Sequence, residues 1–344
     1  MHPHTSRGSG ILGGNSAAYW AIRRNRVKLS IYPDGPLTTQ PDSVATCGFT
    51  LPTGVGHGQR LTIASSGGRD VRGSSSHVDV WYPDVAPVGK CFVMMTGHLA
   101  GALPWYDSTA YCTTDGSSMI LRLLADGWHV LVADMPAYGT MPYPEVVYSA
   151  GSPLSYTQHN CWALFSDGGP SPNRLFLDQI IRGMNWVTAT LGITKFGLMG
   201  HSGGAQTSAM MAAIDDRFSC FFMLGGGPFQ GAGTIDDVEA YYLNPTIQAS
   251  GSWVSAMAMV GAAVFGRHTV YSYSAGDEFR PLDFPLWQAE AVTVNSYLAG
   301  NGFATVEFFN KINPHIATPA DPCPYHDPDP TLAEFVEATM LTHV

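Results

Sequence analysis

No two of the six cysteines (Cys47, Cys91, Cys112, Cys161, Cys220 and Cys323) form a CxxC pair, so a zinc ribbon or a thioredoxin-like redox site has no support. The even count permits three disulfides. Cys91 and Cys220, however, lie in apolar, strand-like runs and are expected to be free core thiols, which leaves the compartment open. Charge is scarce: 13% of residues are charged, and 17 bases face 27 acids for a net charge of −10. This argues against a nucleic-acid backbone or an anionic membrane surface as the main partner. Long apolar runs are missing as well. The longest, Trp253 to Phe265, falls short of the roughly 20 residues that span a bilayer. The first 30 residues lack the basic-then-apolar pattern of a signal peptide, an absence that a trimmed, mature chain would share. Met1-His2-Pro3-His4 and the Gly/Ser residues after it read as a flexible leader rather than a metal site. There is no internal repeat.

What is plentiful is apolar material. With 45% hydrophobic residues in 344, the chain builds a sizeable core, and disorder of the whole is excluded. Residues 1–60, rich in Gly, Pro, Ser and Thr, read as an extended N-terminal segment with a strand at Val27–Ile31. Residues 61–344 read as one α/β domain. His77–Tyr82 alternates apolar and polar side chains, as a half-buried strand does. Continuous apolar runs at Cys91–Met95, His129–Ala133, Phe196–Met199, Cys220–Leu224, Thr269–Tyr273 and Thr305–Phe309 read as buried strands. Between them, Met119–Leu124, Leu177–Thr188, Ala205–Ile214, Leu286–Leu298 and Leu332–Leu341 carry helical spacing. Strands alternating with helices imply a mostly parallel sheet of about eight strands with helices on both faces. Two stretches break the rhythm. Residues 140–173 read as a long loop or small cap, and residues 228–267 as a second insertion, helical around Val254–Val264.

One short stretch concentrates backbone freedom around a hydroxyl: Gly200-His201-Ser202-Gly203-Gly204, between the Phe196–Met199 strand and the small-residue helix from Ala205. In a parallel sheet, ligands collect at the carboxyl ends of the strands. A sharp strand-to-helix turn there pushes Ser202 into the open, provided no side chain grows from Gly200 or Gly204. That is the G-x-S-x-G nucleophile elbow. In a chain with 38 glycines the spacing alone says little; its place between strand and helix carries the argument. The Gly203 N–H, first in the helix, faces the oxygen of an attacked carbonyl. A second donor is expected from the loop Thr96-Gly97-His98-Leu99-Ala100-Gly101, with the Leu99 N–H first and His98 next.

A serine needs a base, and the base needs an acid to orient it. In the order Ser, acid, His, the acid is Asp277, which follows the Thr269–Tyr273 strand; Glu278 is the fallback. The base is His315, close behind the last strand, with His326 at the entrance of the last helix as the alternate; His343 is too terminal.

With these features in this order, residues 75–344 resemble the α/β-hydrolase superfamily. Asp134-Met135-Pro136-Ala137-Tyr138-Gly139 looks like the family's segment after its fourth strand. The run from Gly200 to Ala212-Ala213-Ile214-Asp215-Asp216-Arg217-Phe218 is similar to the acetyl-xylan esterase, dienelactone hydrolase and prolyl-oligopeptidase-like branches. The oxyanion loop departs from the pattern, reading Gly97-His98 where His-Gly is commoner. The resemblance implies a Ser-His-Asp hydrolase acting through an acyl-enzyme, without cofactor or metal, on small or carbohydrate-linked carboxylic esters. Tyr143, Tyr148, Tyr156, Trp162 and Phe165 can stack on a sugar or aryl group or pack the cap itself. The rivals are a prolyl-oligopeptidase-like serine peptidase and a catalytically inactive relative that binds without turnover.

Overall fold

The apolar runs in the middle of the sequence become the middle of a sheet. The computed structural model describes residues 17–35, 37–46, 51, 53–65, 71–72, 74–97, 118–136, 145–146, 154–155, 173–225, 266–274, 284–311 and 330–344. Among these are the strands β1 (Ser43–Thr46), β2 (Gly56–Ser65), β3 (Val71–Arg72), β4 (Ser74–Pro83), β5 (Cys91–Met95), β6 (His129–Ala133), β7 (Glu145–Val146), β8 (Leu154–Ser155), β9 (Phe196–His201), β10 (Phe218–Leu224), β11 (His268–Ser274) and β12 (Val306–Lys311). The helices are α1 (Ala17–Ile31), α2 (Met119–Ala125), α3 (Asn173–Leu191), α4 (Gly203–Ile214), α5 (Phe284–Gly300) and α6 (Pro330–His343).

Nine strands form one sheet in the order β1-β2-β4-β6-β5-β9-β10-β11-β12. From β6 to β12 every pairing is parallel, while β4, β2 and β1 add antiparallel strands at one side. The sheet separates two cores, and β5 shows why its run is continuously apolar. Cys91, Val93 and Met95 face one core together with α1, α3, α4 and α5. Phe92 and Met94 face the other, with α2 and α6. A strand covered on both faces has no position for a polar side chain.

The N-terminal part differs from its sequence reading. Val27–Ile31 is the last part of helix α1, not a strand. Val-Lys-Leu-Ser-Ile alternates locally, but Leu29 is 46% exposed while Val27 and Ile31 are buried four residues apart. The buried stripe is Trp20, Arg24, Val27 and Ile31, a helical spacing disguised by the arginine in it. β1 and β2 were also not expected from the sequence, and they bring the sheet to nine strands rather than about eight. His77–Tyr82 forms a strand within β4, half-buried at His77 and Tyr82 but more deeply buried between them than the alternation suggests. Asp79 is 3% exposed, held by a bidentate pair from Arg60 Nε and Nη2 on β2, both at 2.7 Å. Asp79 therefore faces the second core, not water, while His77 stays half-buried.

Arg24 shows how α1 is attached. Its Nε donates to the Ala213 carbonyl at 2.9 Å, and its Nη2 to Ala212 O at 3.2 Å and Asp216 Oδ1 at 2.6 Å. Arg267 donates to Ala212 O at 2.6 Å and Asp215 O at 2.7 Å. Two guanidinium groups thus cap the carbonyls that end α4, where the helix dipole favours cations. Burial lowers the pKa of both, that of Arg267 to about 10. Arg24→Met keeps the apolar stem and removes the cap. It is expected to lower the unfolding free energy by about 2 kcal/mol, read by urea denaturation, because α4 carbonyls lose buried donors. A loss below about 0.5 kcal/mol would show that α1 is held by Trp20, Val27 and Ile31 alone.

Cys91 and Cys220 are free and buried, as expected, and burial pushes both thiols well up. β3, β7 and β8 form a small antiparallel sheet, so the 140–173 stretch contributes two short strands. Of the 228–267 insertion, residues 228–265, with the Val254–Val264 helix expected there, lie outside the described residues. Among the described residues no helix is long and apolar enough to cross a membrane.

Candidate active site

The sheet order fixes where a crevice lies. From β5 the chain steps to β6 on one side, then crosses back to β9 on the other. The connections after β5 and β9 leave in opposite directions, so a gap opens beyond their carboxyl ends. Met95 pairs with Gly200, and His201 with Leu224, which places Ser202 at this edge in the centre of the sheet.

Ser202 is where β9 ends and α4 begins. Its backbone lies at φ 55° and ψ −123°, and among the described residues it is the one non-glycine with positive φ. Such a conformation costs on the order of 1–3 kcal/mol and persists only where neighbours over-determine it. They do so here. The Ser202 N–H donates to Leu224 O at 2.8 Å, and its carbonyl accepts from the Ala205 N–H at 3.0 Å. Serine at a helix start normally caps the first turn with its own oxygen; Ser202 makes no such bond, and its side chain is half-buried. The hydroxyl is held at the edge of the sheet without serving its own helix.

The glycines are required for space. A Cβ on Gly200 would collide with the Gly204 carbonyl and come 2.7 Å from the Ala205 nitrogen. One on Gly204 would collide with the Met95 carbonyl and come 2.6 Å from Thr96 O. Gly97, just after β5, lies against the serine itself. At Gly97 a Cβ would stand 2.7 Å from Ser202 Cβ and 3.3 Å from Ser202 Oγ. The Gly203 N–H is the first of α4, in the turn whose amides lack intrahelical acceptors.

Of the residues singled out by sequence, Ser202 and Gly203 are described and adjacent. Leu99, His98, Asp277, Glu278, His315 and His326 lie outside the described residues, as do Tyr143, Tyr148, Tyr156, Trp162 and Phe165. Sequence reasoning missed the brace behind the β5 loop. Thr96 Oγ1 accepts from the Met135 N–H at 3.2 Å, and Gln179 on α3 donates to the Asp134 carbonyl at 2.7 Å. These bonds join segments far apart in the chain, and only the buried polar residue in the apolar stripe of α3 hinted at them. Four described histidines lie at the opposite edge. His57 is second in β2 and His129 first in β6, and His268 starts β11 with the His343 ring stacked on it at 4.0 Å. Burial lowers the pKa of His129, and burial followed by His343 lowers that of His268. Among the described residues no group of three His, Cys, Asp or Glu side chains is arranged to hold a metal ion.

The comparisons name the family to which this sheet belongs. Residues 105–300 match the family model described as alpha/beta hydrolase fold. The chain belongs to the α/β-hydrolase fold family. The matched span includes Ser202 and Asp277 and ends before His315 and His326. Acetyl xylan esterase 1 from Thermoanaerobacterium sp. JW/SL YS485 superposes with a TM-score of 0.55 at 13% identity, over 94% of this chain and 93% of that one. An acetyl xylan esterase from Paenibacillus sp. R4 does so with a TM-score of 0.53 at 13% identity, over 99% and 97%. At that identity the likeness is one of fold. No curated protein matches the sequence.

Proposed function

We propose that the protein is a serine carboxylic-ester hydrolase. Ser202 Oγ attacks the ester carbonyl carbon; His315, with His326 as the alternate, takes the Oγ proton and delivers it to the departing alkoxide. Asp277 holds the imidazole tautomer and stabilises the imidazolium. The N–H groups of Gly203 and of Leu99, or of His98 in its place, hold the oxyanion, each worth on the order of 3 kcal/mol of barrier. Water then attacks the acyl-enzyme by the same route in reverse. The observation that carries this reading is Ser202 at φ 55° with its hydroxyl excluded from capping α4. A strained serine at a switch point, in a family of hydrolases, is best explained by the reactivity of that hydroxyl.

Chain connectivity supports the partners. β11 is two strands from β9, about 10 Å at the usual spacing, and Asp277 follows the end of β11 by three residues. β12 is three strands away, about 14 Å. His315 follows Lys311 by four residues, a tether of up to about 14 Å. α6 packs Met340 against Gly197 at the start of β9, so Pro330 is at the end of α6 nearer the carboxyl edge, and His326 precedes it by four residues. The acetyl xylan esterases among the structural neighbours favour a short acyl group on a carbohydrate as the substrate class.

The test is hydrolysis of p-nitrophenyl esters from acetate to octanoate. Acetate is expected to be the best substrate. Of His315→Ala and His326→Ala, the one lacking the base should lose on the order of 10⁴-fold or more in kcat, with the other within a few-fold of wild type. Wild type inactive on every ester and unlabelled by a fluorophosphonate would overturn the proposal.

A further inference from the structure

We propose that Thr96, braced through Met135 and Gln179, is the positioning residue that holds the oxyanion-binding loop against Ser202. The proposal rests on the serine-esterase reading above and names a part of that site which no sequence motif marks.

β5 ends at Met95, and Thr96 continues its ladder for one more residue. The Thr96 N–H donates to Ala133 O at 3.2 Å. Backbone pairing with β6 then stops, and the side chain takes over, with Oγ1 accepting from the Met135 N–H at 3.2 Å. On its other side the Thr96 carbonyl packs on Gly204, where not even a Cβ fits. Thr96 is thus clamped between the end of β6 and the start of α4, and Gly97, the next residue, is the one that lies against Ser202. The proposed second oxyanion donor is one or two residues further on.

The clamp has its own support. Gln179 Nε2 donates to Asp134 O at 2.7 Å, fixing the residue before Met135. Gln179 is fully buried, and its Oε1 has no hydrogen-bond partner among the described residues. Burying an unsatisfied amide oxygen is costly, about 1–3 kcal/mol, and Met or Leu would fill the same core space without it. A glutamine in that place despite the cost, whose amide makes a long 3.4 Å bond to the Phe176 carbonyl of its own helix and a short 2.7 Å one to the turn that holds Thr96, indicates a requirement for placement rather than for stability.

The test uses Thr96→Val, which keeps the shape and removes the acceptor, Thr96→Ser, which keeps the oxygen, and Gln179→Met, which removes the donor and the unsatisfied acceptor together. Rates are normalised to fluorophosphonate-titrated active sites. Inhibition by a trifluoromethyl ketone, which forms a hemiketal oxyanion on a reactive serine, is measured beside KM for p-nitrophenyl acetate. For Thr96→Val, kcat is expected to fall about tenfold and the inhibition constant to rise about tenfold, a fraction of what losing a whole oxyanion donor costs, with KM within about twofold of wild type. Thr96→Ser is expected to restore most of both. Gln179→Met is expected to shift both the same way by about threefold or more, and it carries the test if Thr96→Val does not fold. A merely structural role would lower the active fraction and the unfolding midpoint but leave the inhibition constant per active site unchanged; that result overturns the proposal. Failure of wild type to react with either reagent would overturn the Ser202 reading instead, and with it this one.

Discussion

Ser202→Ala is expected to abolish ester hydrolysis, with kcat falling on the order of a million-fold, while the fold is retained. The substitution removes one oxygen and nothing else that the structure uses. The Ser202 N–H and carbonyl bonds to Leu224 and Ala205 are backbone bonds, and the hydroxyl does not cap α4. Alanine at φ 55° is as strained as serine, so the unfolding free energy should stay within about 0.5 kcal/mol of wild type. Ser202→Gly separates reactivity from strain. Glycine adopts this conformation without a Cβ penalty, which relieves on the order of 1–3 kcal/mol, offset by about 0.4–1 kcal/mol of extra unfolded-state entropy. That variant should be as inactive as Ser202→Ala and more stable than wild type by about 1 kcal/mol. The measurements are steady-state hydrolysis of p-nitrophenyl acetate, fluorophosphonate labelling and urea denaturation of the three proteins. Retention of more than a few per cent of wild-type kcat in Ser202→Ala would move the nucleophile elsewhere.

The centre of this sheet was legible in the sequence and its flank was not, for a physical reason. β5 and β6 are buried on both faces, so local composition alone determines that they are strands, and Cys91–Met95 and His129–Ala133 are expected and found with the same bounds. α3 shows its apolar stripe plainly because Leu177, Ile180, Ile181, Met184 and Val187 meet the apolar side chains of the core. α1 does not, because one position of its stripe meets the carbonyls of Ala212 and Ala213, nearly 190 residues away in the chain. An arginine is the right residue there, yet locally it reads as a surface residue. Asp79 in β4 is the same case, polar in sequence and buried in fact because Arg60 of β2 faces it.

The candidate site divides in the same way. The Ser202 turn is legible because its requirement is local, with two glycines fixed two residues either side of the serine. The clamp on the β5 loop is not, since it joins Thr96 to Met135 across 39 residues and Asp134 to Gln179 across 45. Motif spacing reports the backbone conformation of a turn. It carries nothing about which buried amide, one helix away, keeps the opposing loop in place.

Gly204→Ala is expected to cost both stability and activity, and it tests the packing of this turn apart from its chemistry. Gly204 has helical backbone within α4, so alanine there is conformationally favourable, and on helix propensity alone would stabilise by about 1 kcal/mol. Space decides otherwise. The new Cβ would collide with the Met95 carbonyl and stand 2.6 Å from Thr96 O and 2.8 Å from the Met95 carbonyl carbon. All three are backbone atoms of the central strand or its end, and none can rotate away. α4 must then back off from β5, at a strain cost of about 1–3 kcal/mol. The same shift carries Gly203 and Ser202 away from Gly97, and misplacement of reacting groups by about 1 Å costs on the order of 10²-fold in rate. Gly192→Ala is the control. Gly192 follows α3 at φ 71° with nothing within 4 Å of a built Cβ, so it strains the backbone without touching the site. It should lose about 1 kcal/mol of stability and no activity. Urea denaturation and the second-order rate of fluorophosphonate labelling read both variants. If Gly204→Ala labelled at the wild-type rate, contact between the α4 start and the β5 end would not be what holds Ser202 in its reactive position, and the strain at φ 55° would have to be maintained by the Leu224 and Ala205 hydrogen bonds alone.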